Sequence, residues 1–224
     1  MAFYGSTTKP AVPKAKLAEC QALALAPRNM LVKKLIKSFS VLPLVWLFSL
    51  ASYGQSNVNL KFFGVSLHPK GEINAPLMPL NPDKKGYLVF NLGGALGYEH
   101  FLRRDKFSVK AIQALYADCA LQVGGFSHVG VRWVVFKKGR HSLNGGIGPT
   151  LVFRRNWYRL KGYQYSGFFR GDKNDRWQYR LIPLAGELEY NLMVSERYEL
   201  STGLIPGYPS LISISFGLRR WINP

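Results

Sequence analysis

Residues 128–135 read HVGVRWVV. Successive side chains of an extended chain point to opposite faces, so Val129, Val131, Trp133 and Val135 share one face and His128, Gly130 and Arg132 the other. One face is broad and apolar; the other is polar or bare. A period of two with this contrast predicts a strand whose two sides meet different surroundings. Two further stretches repeat it. In 182–190, Ile182, Leu184, Leu188 and Tyr190 oppose Pro183, Ala185, Glu187 and Glu189, and in 212–219, Ile212, Ile214, Phe216 and Leu218 alternate with Ser213, Ser215, Gly217 and Arg219.

Outward from these segments, no stretch after residue 55 keeps a helical period or a long apolar run. The spacing predicts strands at 57–67, 86–99, 106–117, 121–136, 140–154, 176–191, 197–205 and 210–222. A soluble sandwich also alternates, and the connections separate it from a membrane barrel. Those after odd-numbered strands include two long ones, 68–85 and 155–175, whereas His100–Asp105, Lys137–Gly139 and Met193–Glu196 are short. Long loops at one end and tight turns at the other are the pattern of outer-membrane barrels. Giving each strand its direction places Trp157, Tyr158, Trp177 and Tyr179 at the long-loop rim and Tyr98, Phe101, Phe136, Tyr190 and Trp221 at the other. The expected fold is all-β, an eight-stranded antiparallel transmembrane β-barrel over 55–224, in which aromatics ring both interfaces.

Ahead of it the chain carries an address. Residues 30–54 read MLVKKLIKSFSVLPLVWLFSLASYG, with Lys33, Lys34 and Lys37 before an apolar run from Phe39 to Leu50 and small residues at Ser52 and Gly54. This is the plan of a cleaved secretory signal peptide. A membrane anchor would need about 20 predominantly apolar residues, and this run is shorter and interrupted by Pro43. Residues 1–29 then read as an upstream extension from a misassigned start, with Met30 the true initiator.

The formal net charge is +18, and the segment before residue 55 holds 7 of the 30 basic and 1 of the 12 acidic residues, so the remainder stays at +12. That excess suits an acidic partner: nucleic acid, an anionic membrane surface or lipopolysaccharide phosphate. Export removes nucleic acid from that set. Of the two cysteines, Cys20 lies upstream of the cleavage site, which leaves Cys119 without a partner in the mature chain. Neither has the neighbouring His or Cys of a metal site, and no cofactor or metal is expected.

With signal peptide, alternation and rims in place, 55–224 resembles the small outer-membrane β-barrel proteins of Gram-negative bacteria. The resemblance implies the outer membrane as location, its lipid and lipopolysaccharide as surroundings, and the barrel-insertion machinery as a partner. That machinery reads a terminal aromatic in such families; here Trp221 is followed by Ile222, Asn223 and Pro224, a partial match. The run His141-Ser142-Leu143-Asn144 is similar to the His-x-Ser-Asn motif of the outer-membrane lipid A deacylases, but neighbouring residues of a strand face opposite ways, so His141 cannot activate Ser142. On the penultimate strand, where the deacylase motif resides, Glu199-Leu200-Ser201-Thr202 keeps the serine and has Glu199 in the histidine's place. Ser201 is the catalytic candidate this resemblance implies, and a lipid-modifying enzyme the alternative to a structural or binding barrel. GGALG at 93–97 and GGIGP at 145–149 match neither the dinucleotide nor the Walker spacing, and read as glycines that let the sheet bend or leave room for a bulky neighbour.

Two groups of polar residues remain. Lys110, His128, Arg132, Glu187, Glu189 and Arg219 fall on the inward parity. Charges in a narrow barrel must pair, so they predict an interior polar network, with catalysis by Glu187 or His128 as the other reading. Arg154, Arg155, Arg159 and Lys161, interleaved with aromatics, lie at the long-loop rim. There Arg can meet lipopolysaccharide phosphate through paired hydrogen bonds; a solvated charged loop is the alternative. The cleavage site gives a first prediction: N-terminal sequencing of the mature protein should begin at Gln55, allowing for its cyclisation, and a chain still starting at Met1 would refute export.

Overall fold

The computed structural model describes residues 54–103, 106–207 and 211–222. Apart from Gly54, the upstream extension and the signal peptide lie outside them. Eight strands form one closed antiparallel barrel in chain order: β1 Ser56–Leu67, β2 Leu88–Arg103, β3 Phe107–Ala117, β4 Val123–Lys138, β5 His141–Arg155, β6 Trp177–Met193, β7 Tyr198–Gly207 and β8 Leu211–Trp221. Closure is made by β1 against β8, from Asn57 opposite Trp221 to Leu67 opposite Ile212. Strand edges move by a few residues from the sequence expectation. The largest change is at β2, which continues through His100 to Arg103, so the turn expected at His100–Asp105 is shorter.

The alternation is inside out relative to a soluble protein. On β4, His128 and Arg132 are buried, while Val129, Val131, Trp133 and Val135 stand 41–54% exposed. The same holds around the barrel, where Leu60, Leu96, Leu115, Leu151, Leu181, Leu200 and Phe216 all face outward. The largest apolar patch of a typical soluble monomer is about 300–600 Å², whereas this belt runs round all sides of the barrel and suits a hydrocarbon surrounding. The sandwich alternative, whose apolar faces would pack on each other, is excluded. Two polar residues in the belt satisfy one another across β3 and β4: the Ser127 hydroxyl donates to Gln113 Oε1 at 2.6 Å, and Gln113 Nε2 donates to the Phe126 carbonyl at 3.2 Å.

Several positions differ from the sequence reading, each for a local reason. Between Thr150–Ile182 and Gly148–Ala185 the register slips, with two residues of β6 set against one of β5. The bulge falls at Pro183 and Leu184, which both face out, so Ile182 turns into the bore at 9% exposure and not onto the lipid face. Proline has no N–H to give to a ladder and is tolerated at such irregularities. Phe101 is 5% exposed and packs on Trp221 with centroids 5.4 Å apart, so the pair closes the tight-turn end from inside and does not join the girdle there. Trp157, 1% exposed, is likewise interior. Tyr98, Phe136, Tyr190, Trp177 and Tyr179 remain on the outer surface near the two ends.

The belt sets a second prediction. Val131 sits mid-strand on the lipid side, so Val131→Arg should lower stability by roughly 2–4 kcal/mol, read by urea unfolding in lipid vesicles, while Val131→Leu leaves the midpoint nearly unchanged.

Candidate functional site

Seven of the eight strands send one or two charged side chains to a single level of the bore: Lys61, Glu99, Lys110, Arg132, Glu187 with Glu189, Glu199 and Arg219. Every one is buried. Four cations meet four carboxylates, so the cluster is neutral. Glu189 is its hub, paired with Lys61, with Lys110 at 2.5 Å, with Arg132 at 3.1 Å and with Arg219. Arg132 also lies 2.8 Å from Glu99 and 2.7 Å from Glu187; its nitrogens make these contacts as ion pairs, without hydrogen-bond alignment. Arg219 reaches Glu99 and Glu199, each at 3.1 Å. The periphery is tied in by Ser108, donating to Glu99 at 2.5 Å, and by Trp221 Nε1, donating to Glu199 at 3.0 Å.

β5 contributes space instead of charge. A Cβ at Gly146 would stand 2.6 Å from Arg132 Cγ and 2.8 Å from Glu187 Oε1. Of the six residues the sequence placed inside, five converge here. His128 is buried beside them, and its Nδ1 bonds to Thr150 Oγ1 at 2.7 Å. Lys61, Glu99 and Glu199 were missed, although each stands on the inward parity of its own strand.

Above the ion cluster lies an apolar layer of Ala95, Ile112, Ala114, Phe126, Val152, Ile182 and Ala185. Above that the two long loops, 68–87 and 156–176, fold over the barrel end. They hold each other through the Asn74 side chain and the Gln164 backbone: Asn74 Nδ2 donates to the Gln164 carbonyl at 2.9 Å, and the Gln164 N–H donates to Asn74 Oδ1 at 2.8 Å. Asp118 fixes the opposite side, accepting from Trp157 Nε1 at 2.8 Å and from the backbone N–H groups of Ala120 and Gln122. Burial raises its carboxyl above the ordinary range, and these donors oppose that. The same burial pushes the free Cys119 thiol up to about 12.

Arg154 turns into this loop end and not out to the rim. Its guanidinium lies 3.8 Å from the Trp157 ring centroid and 4.0 Å from that of Phe169. Arg155, Arg159 and Lys161 are the rim cations, with Arg155 over the Trp177 ring at 4.9 Å and Arg159 and Lys161 exposed. Ser201 is 1% exposed inside the barrel, and its hydroxyl has no hydrogen-bond partner. The inward neighbour Glu199 is engaged by Arg219 and Trp221, so no base is poised on that serine. His141 is exposed and bonds Tyr190 OH at 2.5 Å.

A polar, self-neutralised interior inside an apolar exterior, with long loops at one end only, decides the class. The molecule has the architecture of a small outer-membrane β-barrel. No protein-family model matches the sequence, and no curated protein matches it. Among solved structures, Ail, the attachment invasion locus protein of Yersinia pestis in complex with the heparin analogue sucrose octasulfate, is 13% identical, covering 75% of this chain and 97% of its own at a TM-score of 0.43. The N-terminal β-barrel domain of Pseudomonas aeruginosa OprF is 11% identical, over 76% and 100%, at 0.40. Neisserial surface protein A is 9% identical, over 75% and 96%, at 0.43. The likeness is one of architecture alone.

Removing the hub charge should expose what the cluster does. Glu189→Gln strands several buried cations, and breaking a buried pair costs about 3–5 kcal/mol. Urea unfolding in lipid vesicles should show a loss of that size, whereas Glu196→Gln in the exposed turn 194–197 should change stability by less than about 0.5 kcal/mol.

Proposed function

We propose that this chain is a non-conducting barrel of the Gram-negative outer membrane, exported by its N-terminal segment, whose loop end faces outward and binds lipopolysaccharide. The observation that carries the reading is the sealed bore beneath a cationic, aromatic rim. The ion cluster and the apolar layer above it occupy the barrel at successive levels, and eight strands leave room for side chains or one small ligand but for no wide channel. Transport of bulk solutes is therefore disfavoured, and the loop end is where external partners meet the molecule.

At that end, Arg155 lies over the Trp177 ring, Arg159 and Lys161 are exposed on the following loop, and Tyr179 is exposed on the strand that carries Trp177. Guanidinium groups form charge-assisted, paired hydrogen bonds with phosphate, and tryptophan and tyrosine settle at the headgroup level. A lipid with phosphorylated sugars at its head and acyl chains below matches both. The loops 68–87, 118–122 and 156–176 together hold 8 basic and 5 acidic residues, which adds a net attraction for such a surface.

Lipopolysaccharide should accordingly copurify with the folded protein. Replacing Arg155, Arg159 and Lys161 together by Gln should weaken binding to lipopolysaccharide vesicles by about tenfold at low salt, with less difference at high salt, where exposed charges are screened. Planar bilayers should show no porin-like conductance. Wild-type affinity in the triple variant, or steady porin-like currents, would overturn the reading.

A further inference from the structure

The two loops roof the barrel end without filling it. Between them and the apolar layer lies a chamber of about 510 Å³, open to the loop side and lined by Met78, Val152, Arg154, Phe168 and Phe169 among others. Small-molecule sites span roughly 300–1,000 Å³ and combine mainly apolar walls with a few placed polar groups. This chamber has that size and that mixture.

Its central polar group is Arg154, whose ionic surroundings differ from those of the other inward cations. Lys61, Lys110, Arg132 and Arg219 each have a carboxylate partner. Among the described residues, no carboxylate lies within 4.0 Å of Arg154. Its Nε donates to Gln178 Oε1 at 3.1 Å and its Nη2 to Tyr163 OH at 3.4 Å, both neutral acceptors. The Trp157 and Phe169 rings lie against it as cation–π partners. They orient the cation, which feels Asp118 and Glu72 at a distance but has no carboxylate in ion-pair contact.

Two carboxylates, Asp118 and Glu72, line the same chamber, and both accept hydrogen bonds from the protein. Asp118 is held by Trp157 Nε1 and two backbone N–H groups, and Glu72 by the backbone and side chain of Asn74. His68 faces the same space; burial, opposed by Glu72, keeps its imidazole below its usual range, so it adds no positive charge at neutral pH. Lys70 stands exposed at the mouth. One oriented cation at an apolar wall, open to the outside, fits one anionic group on a water-shy body.

We propose that the chamber binds a small amphipathic monoanion, a carboxylate on an aromatic or aliphatic body. The carboxylate meets the guanidinium edge of Arg154 not used by Gln178 and Tyr163, and the body lies against Val152, Phe168 and Phe169. This site is separate from the rim cations and does not rest on the lipopolysaccharide reading.

The test uses the full mature protein in lipid nanodiscs, with 2-naphthoate and its neutral counterpart 2-naphthol as probes in calorimetric titration. Naphthoate should bind one to one and at least tenfold more tightly than naphthol. Arg154→Gln should reduce naphthoate to the naphthol level and leave naphthol unchanged, and Arg154→Lys should fall between. Equal affinity of the two probes for the wild type, or an unchanged naphthoate affinity in Arg154→Gln, would overturn the proposal. So would displacement of naphthoate by an equal concentration of inorganic phosphate, which would mean a site for bare anions. A measurement on the wild type alone is independent of how the variants fold. With 13C-methyl methionine, naphthoate should shift the Met78 signal and leave Met193, at the opposite end, in place; a still Met78 would put binding elsewhere and overturn the assignment.

Discussion

A backbone in hydrocarbon has no water to bond with, so each N–H and C=O in the belt must find a partner inside the protein. The pairing of β1 with β8 meets this demand by removing both sheet edges at once. Its consequence is geometric. Closing with eight strands fixes a narrow bore, and the pleat sends every second residue into it. A strand that shows leucine and valine to lipid must therefore aim its other residues at a confined interior. The neutral cluster around Glu189 is one solution to that confinement, and the glycine at 146 shows how tightly it is fitted.

The bore is layered from the tight-turn end upward. Phe101 and Trp221 close the bottom, the ion cluster lies over them, then the apolar layer, and last the chamber under the loops. The loops owe their place to specific bonds. Asn74 and Gln164 join one to the other, and Asp118 anchors Trp157. The part of the molecule with the most chemical variety is thus also held by hydrogen bonds between segments far apart in sequence.

Much of this was legible in the residues. The contrast in 128–135 needed no information from elsewhere, because a two-residue period is a property of one strand alone, and the loop lengths then chose a barrel over a sandwich. Lys61, Glu99 and Glu199 were open to the same reading, each alternating with outward Leu60, Tyr98 and Leu200. Ile182 was not, since the bulge at Pro183 and Leu184 depends on the register between β5 and β6. Trp157 and Phe101 misled for another reason: an aromatic at a strand end serves a girdle and a plug equally well, and only packing distinguishes them. Which charges pair was also hidden, as the partners Lys61 and Glu189 lie 128 positions apart.

That separation bears on how the molecule is made. Lys61 comes from the first strand, Arg219 from the last, and both converge on Glu189. Until the ends of the sheet meet, these charges have no common centre, and a half-built barrel would carry them naked toward lipid. Full neutralisation of the cluster therefore requires closure. Contacts of such long range slow a folding reaction. Here they also tie completion of the ion cluster to the meeting of the first and last strands.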